Sequence, residues 1–170
     1  HFALGRVHTL AGEAEMAIGE MKTAIAVNPN YALGYYGPGW AYQYGAGQWT
    51  QALPHYDTAL RLSPRDPARW ATLMMKGSGL RSLGRHDEAI APCRQACQLP
   101  NIPFLPYMAL AASLAEAGQI SEARVAVEKA NQQLDALASL LEDRGIRVDR
   151  PTPIQWNQAV ITPDFTNQSM

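Results

Sequence analysis

Apolar and small residues recur along this chain at spacings of three and four, the period of a helix with one buried face. The clearest run is Gly47–Pro67, GQWTQALPHYDTALRLSPRDP. A turn glycine is followed by an aromatic, an alanine, a second aromatic, an Ala-Leu pair and a stopping proline. The pattern returns in whole or in part. Turn glycines stand at Gly12, Gly47, Gly84 and Gly118, and successive subtraction gives intervals of 35, 37 and 34 residues. Five positions after each lies Ala17, Ala52, Ala89 or Ala123; seven further on lies Ala24, Ala59, Ala96 or Ala130. Between the alanines sits a larger side chain: Met21, Tyr56, Cys93 or Val127. A period of this length marks a stack of supersecondary units.

Helix packing explains the pattern. Two antiparallel helices approach to about 8–10 Å only where the facing side chains are small. Alanine permits that approach, and a bulkier neighbour fills the space beside it. Glycine ends the first helix in a left-handed turn, and proline stops the second. The expected architecture is all-α: about four hairpins in a right-handed superhelical solenoid, with a long C-terminal helix and an extended tail.

The first repeat runs from His1 to about Pro29. The second runs from about Tyr31 to Pro64, with one extra residue assigned to the turn Gly45-Ala46-Gly47. Its first helix contains Gly37-Pro38-Gly39, and an interior proline costs about 3 kcal/mol, so a kink or a broken turn is expected there. The third opens with Asp66 as helix cap and Pro67 in the first turn, followed by helices over about 68–83 and 86–98. The fourth opens near Pro103. Its second helix has no proline stop: Ala123, Val127, Ala130, Leu134, Leu137 and Leu141 continue one apolar stripe to about Arg144, where Gly145 ends it. The reading divides the chain into a repeat domain, 1–144, and a tail, 145–170. The tail loses periodicity but keeps Ile154, Trp156, Val160, Ile161 and Phe165.

These residues resemble the tetratricopeptide repeat (TPR) family. Leu4, Gly5, Gly12, Ala17, Ala24 and Pro29 match its hairpin in the first repeat. Gly47, Trp49, Ala52, Tyr56, Ala59 and Pro64 match in the second. Trp70, Leu73, Gly84, Ala89 and Ala96 match in the third, and Tyr107, Leu110, Ala111, Gly118, Ala123 and Ala130 in the fourth. The resemblance covers about residues 1–144. A narrower one, carried by ALRLSPRDP, Trp70 and LGRHDEAI, is similar to TPR segments downstream of bacterial class III adenylate/guanylate cyclase domains; related segments follow winged-helix DNA-binding domains.

The resemblance implies a concave groove lined by the first helix of each hairpin. Its positions here are Phe2, Arg6, Thr9, Tyr36, Trp40, Gln43, Met75, Met108 and Ala112. The expected function is non-catalytic binding of a peptide or partner domain. Two alternatives stay open: a regulatory segment of a cyclase-like or transcription-regulatory signalling protein, and a self-association module using its tail. In the last, Ile154, Trp156, Ile161 and Phe165 would lie in the groove of the same chain or of a second copy. The groove has no Lys/Asn/Arg clamp for a C-terminal carboxylate.

Composition narrows the classes. Charged residues make up 17% and the formal net charge is −1, so no electrostatic footprint for nucleic acid or an anionic membrane is present. No run of about 18 apolar residues suggests a membrane span. The histidines, His1, His8, His55 and His86, are scattered and form no HExxH pattern. Cys93 and Cys97 lie four apart on one helix with no further ligands beside them, as buried free thiols rather than a metal or disulfide framework. No cofactor is expected, and the compartment expected is the cytoplasm. Because His1 already sits inside a repeat, the chain reads as a piece of a longer protein.

Overall fold

A computed structural model describes residues 1–148. Among them are eight α-helices and no strand. In order they are α1 (Phe2–Leu10), α2 (Ala14–Val27), α3 (Ala32–Trp40), α4 (Trp49–Leu62), α5 (Arg69–Ser82), α6 (His86–Cys97), α7 (Leu105–Glu116) and α8 (Ile120–Glu142). Each packs against the next, and the odd-numbered helices also meet across repeats, α1 with α3 and α5 with α7. The result is a stack of four antiparallel hairpins with α1, α3, α5 and α7 on one side.

Three of the four hairpin turns share one hydrogen-bonding scheme. At the first, Gly12 takes φ +78°. Its N–H donates to Thr9 O (3.2 Å) and the Glu13 N–H donates to His8 O (2.9 Å). This is a helix stop that needs a left-handed residue, which glycine supplies without steric cost. The turns at Gly84 and Gly118 repeat it, with Arg85 N–H to Leu80 O at 3.0 Å and Gln119 N–H to Leu114 O at 2.8 Å.

Packing inside each hairpin is a knob set against a gap. Met21, Tyr56 and Cys93, the large residues between the alanines, are fully buried. Each faces a glycine of the preceding helix. A Cβ placed on Gly5 would lie 2.9 Å from Met21 Cε, one on Gly39 2.5 Å from Tyr56 Cε1, and one on Gly77 2.3 Å from Cys93 Sγ. Met21 is gripped from both sides, since a Cβ on Gly37 of the next repeat would approach its Sδ to 2.4 Å. In the fourth hairpin Ala111 takes the glycine's place, in an apolar cluster against which Val127 packs.

Three expectations are corrected. Helix α3 runs through Pro38 without a break. Pro38 is buried between Gly37 and Gly39, and the position one turn earlier is Gly34, so the ring meets no neighbouring side chain there. The irregularity comes later, as a π-helical turn over Ala41–Gly45. It absorbs the extra residue of repeat two: Gln48 N–H reaches back six residues to Tyr42 O (2.8 Å), where the other turns reach back five. Helix α5 starts at Arg69, within a residue of the expected start, but its cap residue is Ala68 rather than Asp66, and Pro67 lies before the first turn. Asp66 still organises the approach, its Oδ1 accepting the Ala68 N–H at 2.7 Å. Lastly, Leu137 is 48% exposed, and Ala138, at 6%, takes the buried place on α8. Helix α8 has 23 residues against 12 in α7, and its second half outruns the partner that buries the first.

Two further prolines, Pro54 in α4 and Pro92 in α6, lie inside helices. The helices of successive repeats are also tied at the surface by Lys76–Asp57 (2.6 Å), Arg81–Glu116 (2.7 Å) and Arg94–Glu122 (2.7 Å). Such exposed pairs contribute up to about 1 kcal/mol each.

Candidate interaction groove

Four of the expected groove residues come together. Phe2 and Arg6 from α1 and Tyr36 and Trp40 from α3 line one cavity of about 320 Å³. Leu33 completes its α3 wall, and Asp66, Ala68, Ala71 and Thr72 form the wall at the start of α5. The spacing explains the gathering: Phe2/Arg6 and Tyr36/Trp40 are i, i+4 pairs, neighbours on one helix face. Small residues at Ala68 and Ala71 leave the space that the aromatics border.

The aromatic wall is held from behind. Tyr36 packs on the buried Tyr56 (centroids 6.2 Å apart), and Trp40 on Tyr44 (6.3 Å), which meets Trp49 edge-on (6.4 Å). Phe2 meets Tyr31 edge-on at 5.8 Å. These contacts fix ring orientations at small entropic cost. Burial pushes the Tyr36 phenol up from its ordinary pKa, Tyr44 adds to the shift and Arg6 opposes it. Tyr36 therefore stays a neutral hydrogen-bonding group. Arg6 is exposed and makes no ion pair among the described residues. Its guanidinium is free for an arriving carboxylate.

The other expected groove residues lie elsewhere. Gln43 is 1% exposed and belongs to the core: the Tyr56 hydroxyl donates to its Oε1 at 3.0 Å. The π-helical turn places it there, by shifting the face of every residue after Trp40. Thr9 is buried too, its hydroxyl donating to Gly5 O at 2.9 Å. Met75, Met108 and Ala112 are half-buried and do not line this cavity. Ile154, Trp156, Ile161 and Phe165 lie outside the described residues. Sequence reasoning missed Leu33, Ala68, Ala71 and Thr72, although the last three follow an i, i+3, i+4 pattern. Asp66 had been read only as a cap.

A larger cavity, about 540 Å³, lies between α4 and α6 with α5 beneath, and includes Pro54, Asp57, Lys76, Arg85, Glu88 and Pro92. Its charges already answer one another. Lys76 pairs with Asp57 (2.6 Å), Arg85 with Glu88 (2.6 Å), and Arg69 donates to Leu60 O (3.0 Å). The smaller groove, with an aromatic wall and an arginine that makes no ion pair among the described residues, is the better receptor despite its size.

No other chemistry competes with it. No group of three or more His, Cys, Asp or Glu side chains placed to hold a metal occurs among the described residues. Nor is any described helix long and apolar enough to cross a membrane.

No family model matches the chain, and no curated protein sequence does. Solved structures do match. TTC0263, a thermophilic TPR protein of Thermus thermophilus, is 28% identical with TM-score 0.65, over 78% of this chain and 71% of its own. YrrB, a TPR protein with an unusual peptide-binding site, is 20% identical with TM-score 0.63, over 78% of this chain and 66% of its own. A putative kinesin light chain of Podosopora anserina with nearly identical TPR-like repeats is 16% identical with TM-score 0.69, over 94% of this chain and 81% of its own. The narrower cyclase-segment resemblance draws no support from these matches. What they share with this chain is its stack of hairpins: the fold is the all-α solenoid of tetratricopeptide-repeat proteins.

Proposed function

We propose that residues 1–144 form a non-catalytic protein-interaction module that receives a peptide in the groove of Phe2, Arg6, Tyr36 and Trp40. The observation that carries this reading is a fixed aromatic wall beside Arg6, which makes no ion pair among the described residues, in one concave cavity. A peptide that fits would set an apolar side chain against Tyr36 and Trp40 and an acidic group near Arg6. Burying one large apolar side chain contributes about 1.5–3 kcal/mol, a part of the roughly 8 kcal/mol that micromolar binding requires. The YrrB neighbour's peptide-binding site supports the class of partner, not its sequence. The regulatory reading, with the module carried by a cyclase-like or transcription-regulatory protein of the cytoplasm, adds a parent to the same groove and rests on the narrower resemblance alone.

The test is a defined panel of short peptides, aromatic or aliphatic at the centre and acidic or basic beside it, titrated by fluorescence polarisation. Acidic-flanked apolar peptides should bind best. Trp40→Ala should weaken them about tenfold or more, and Arg6→Glu should reverse the preference for acidic flanks. A panel that binds nowhere, or binds equally well after both changes, overturns the proposal.

A further inference from the structure

The end of α8 repeats the device that reverses the chain inside three of the four hairpins. Gly145 takes φ +76°. Its N–H donates to Glu142 O (2.9 Å) and the Ile146 N–H donates to Leu141 O (3.0 Å). The turns at Gly12, Gly84 and Gly118 have these same two bonds, the glycine reaching back three residues and its successor five. At each of those turns the next segment is brought back along the helix it follows and buries its apolar face. The turn at Gly145 is a fourth copy of this scheme, placed after α8, the last described helix.

There is a face to cover. Leu134, Leu137, Leu140 and Leu141 are spaced by three and four on the second half of α8 and share one side of it. Leu137 and Leu140 are each 48% exposed, and Ile146 beside them is 51% exposed. Helix α7 cannot reach this strip, since its 12 residues run about 18 Å against about 34 Å for the 23 residues of α8. The chain continues past the described residues to Met170. That stretch carries Ile154, Trp156, Ile161 and Phe165. At about 3.3 Å per residue it could extend some 70 Å, and the strip from Leu134 to Leu141 is only about 10 Å long.

We infer that residues 149–170 dock on this α8 strip within the same chain and cap the solenoid there, rather than entering the concave groove. The inference is independent of the peptide reading. It names an occupant for a face of the fourth hairpin that no described helix covers; uncovered faces of stacked repeats need such a partner.

Hydrogen exchange followed by mass spectrometry on the full chain tests it, at a concentration where light scattering gives the monomer mass. Peptides covering 149–170 should be protected. Leu137→Glu combined with Leu140→Glu should speed their exchange about tenfold or more, with peptides of α1–α6 unchanged. The reciprocal change, Ile154→Ser with Trp156→Ser, should speed exchange in the second half of α8 and leave peptides of α1–α6 unchanged. Exchange of 149–170 at the unprotected rate in the unaltered chain overturns the inference. So does protection that responds to Trp40→Ala but not to the α8 changes, which would put the segment in the groove. Protection that appears only as the mass rises to a dimer assigns the strip to a second copy and overturns it as well.

Discussion

Cys93 Sγ occupies the space that a side chain on Gly77 would need, 2.3 Å from where its Cβ would sit. The backbone carbonyl of Ala89 stands 3.1 Å from the same point, so the sulfur has little room to give way. Gly77→Ala should therefore lower stability by about 1–3 kcal/mol, although alanine is the better helix former. Cys93→Ala opens the space again, so the double variant should be less destabilised than the two single losses together. Urea denaturation of the four proteins measures the coupling. Strict additivity would show that the two residues do not compete for one space.

The buried bond from Tyr56 to Gln43 gives a second test. Tyr56→Phe removes the donor and leaves the Gln43 carbonyl oxygen buried without it, at a cost of about 1–3 kcal/mol. Replacing both, as Tyr56→Phe with Gln43→Met, removes the stranded acceptor and should recover much of the loss. A double variant no more stable than Tyr56→Phe alone would mean the bond is not what sets the cost.

The repeat and its knobs were legible because they are periodic. Alanine at fixed steps with Met21, Tyr56 or Cys93 between required a close helix crossing, and the crossings lie where the steps put them. The glycines opposite those knobs were less visible: Gly37 and Gly39 flank Pro38, and read as breakers. Their real duty is to give room to Met21 and Tyr56. The extra residue of repeat two was also plain in the interval from Gly12 to Gly47, but its position was not. A loop and a π-helical turn absorb one residue equally well in a count, and only the latter turns Gln43 inward. For the groove, the α1 and α3 positions followed from i, i+4 spacing, whereas the α5 wall depends on where that helix begins. The helix begins at Arg69, so Asp66 and Ala68 lie ahead of its first turn, and they wall the cavity while Met75 does not line it. The exposure of Leu137 depends on α7 ending first, which a stripe on α8 alone does not reveal.

The cysteines should be inert while the chain is folded. Cys93 is fully buried, and with the Ser113 hydroxyl committed to Ala109 O (2.9 Å) its thiol is the donor toward Ser113 Oγ at 3.7 Å. Burial pushes its pKa up. Cys97 is only half-buried, but desolvation, reinforced by Cys93, pushes its thiol up to about 12. Only thiolates react with disulfide reagents. At about pH 8, an aromatic disulfide should label neither residue on a timescale of minutes, then label both once urea unfolds the chain. Rapid native labelling of Cys97 would contradict the account of its surroundings.

His55 makes stability depend on pH in a definite direction. Its ring stacks on Tyr42 (centroids 5.5 Å apart, planes 18° apart) and lies tilted against Tyr35 at 6.4 Å. Burial lowers its pKa below the ordinary 6.5, and the positive charge of Lys22 lowers it further. The folded chain therefore takes up this proton less readily than the unfolded chain. Stability is full where both states are neutral, falls as pH drops through 6.5 toward the folded value, and levels off once both are protonated. His55→Phe keeps an aromatic ring against Tyr42 and removes the titration. The urea midpoint of the parent should fall between about pH 8 and pH 5.5, above the range where carboxylates titrate, and that of the variant should fall less. Parallel curves for the two proteins would assign the pH dependence to other groups and leave His55 as a stacking residue alone.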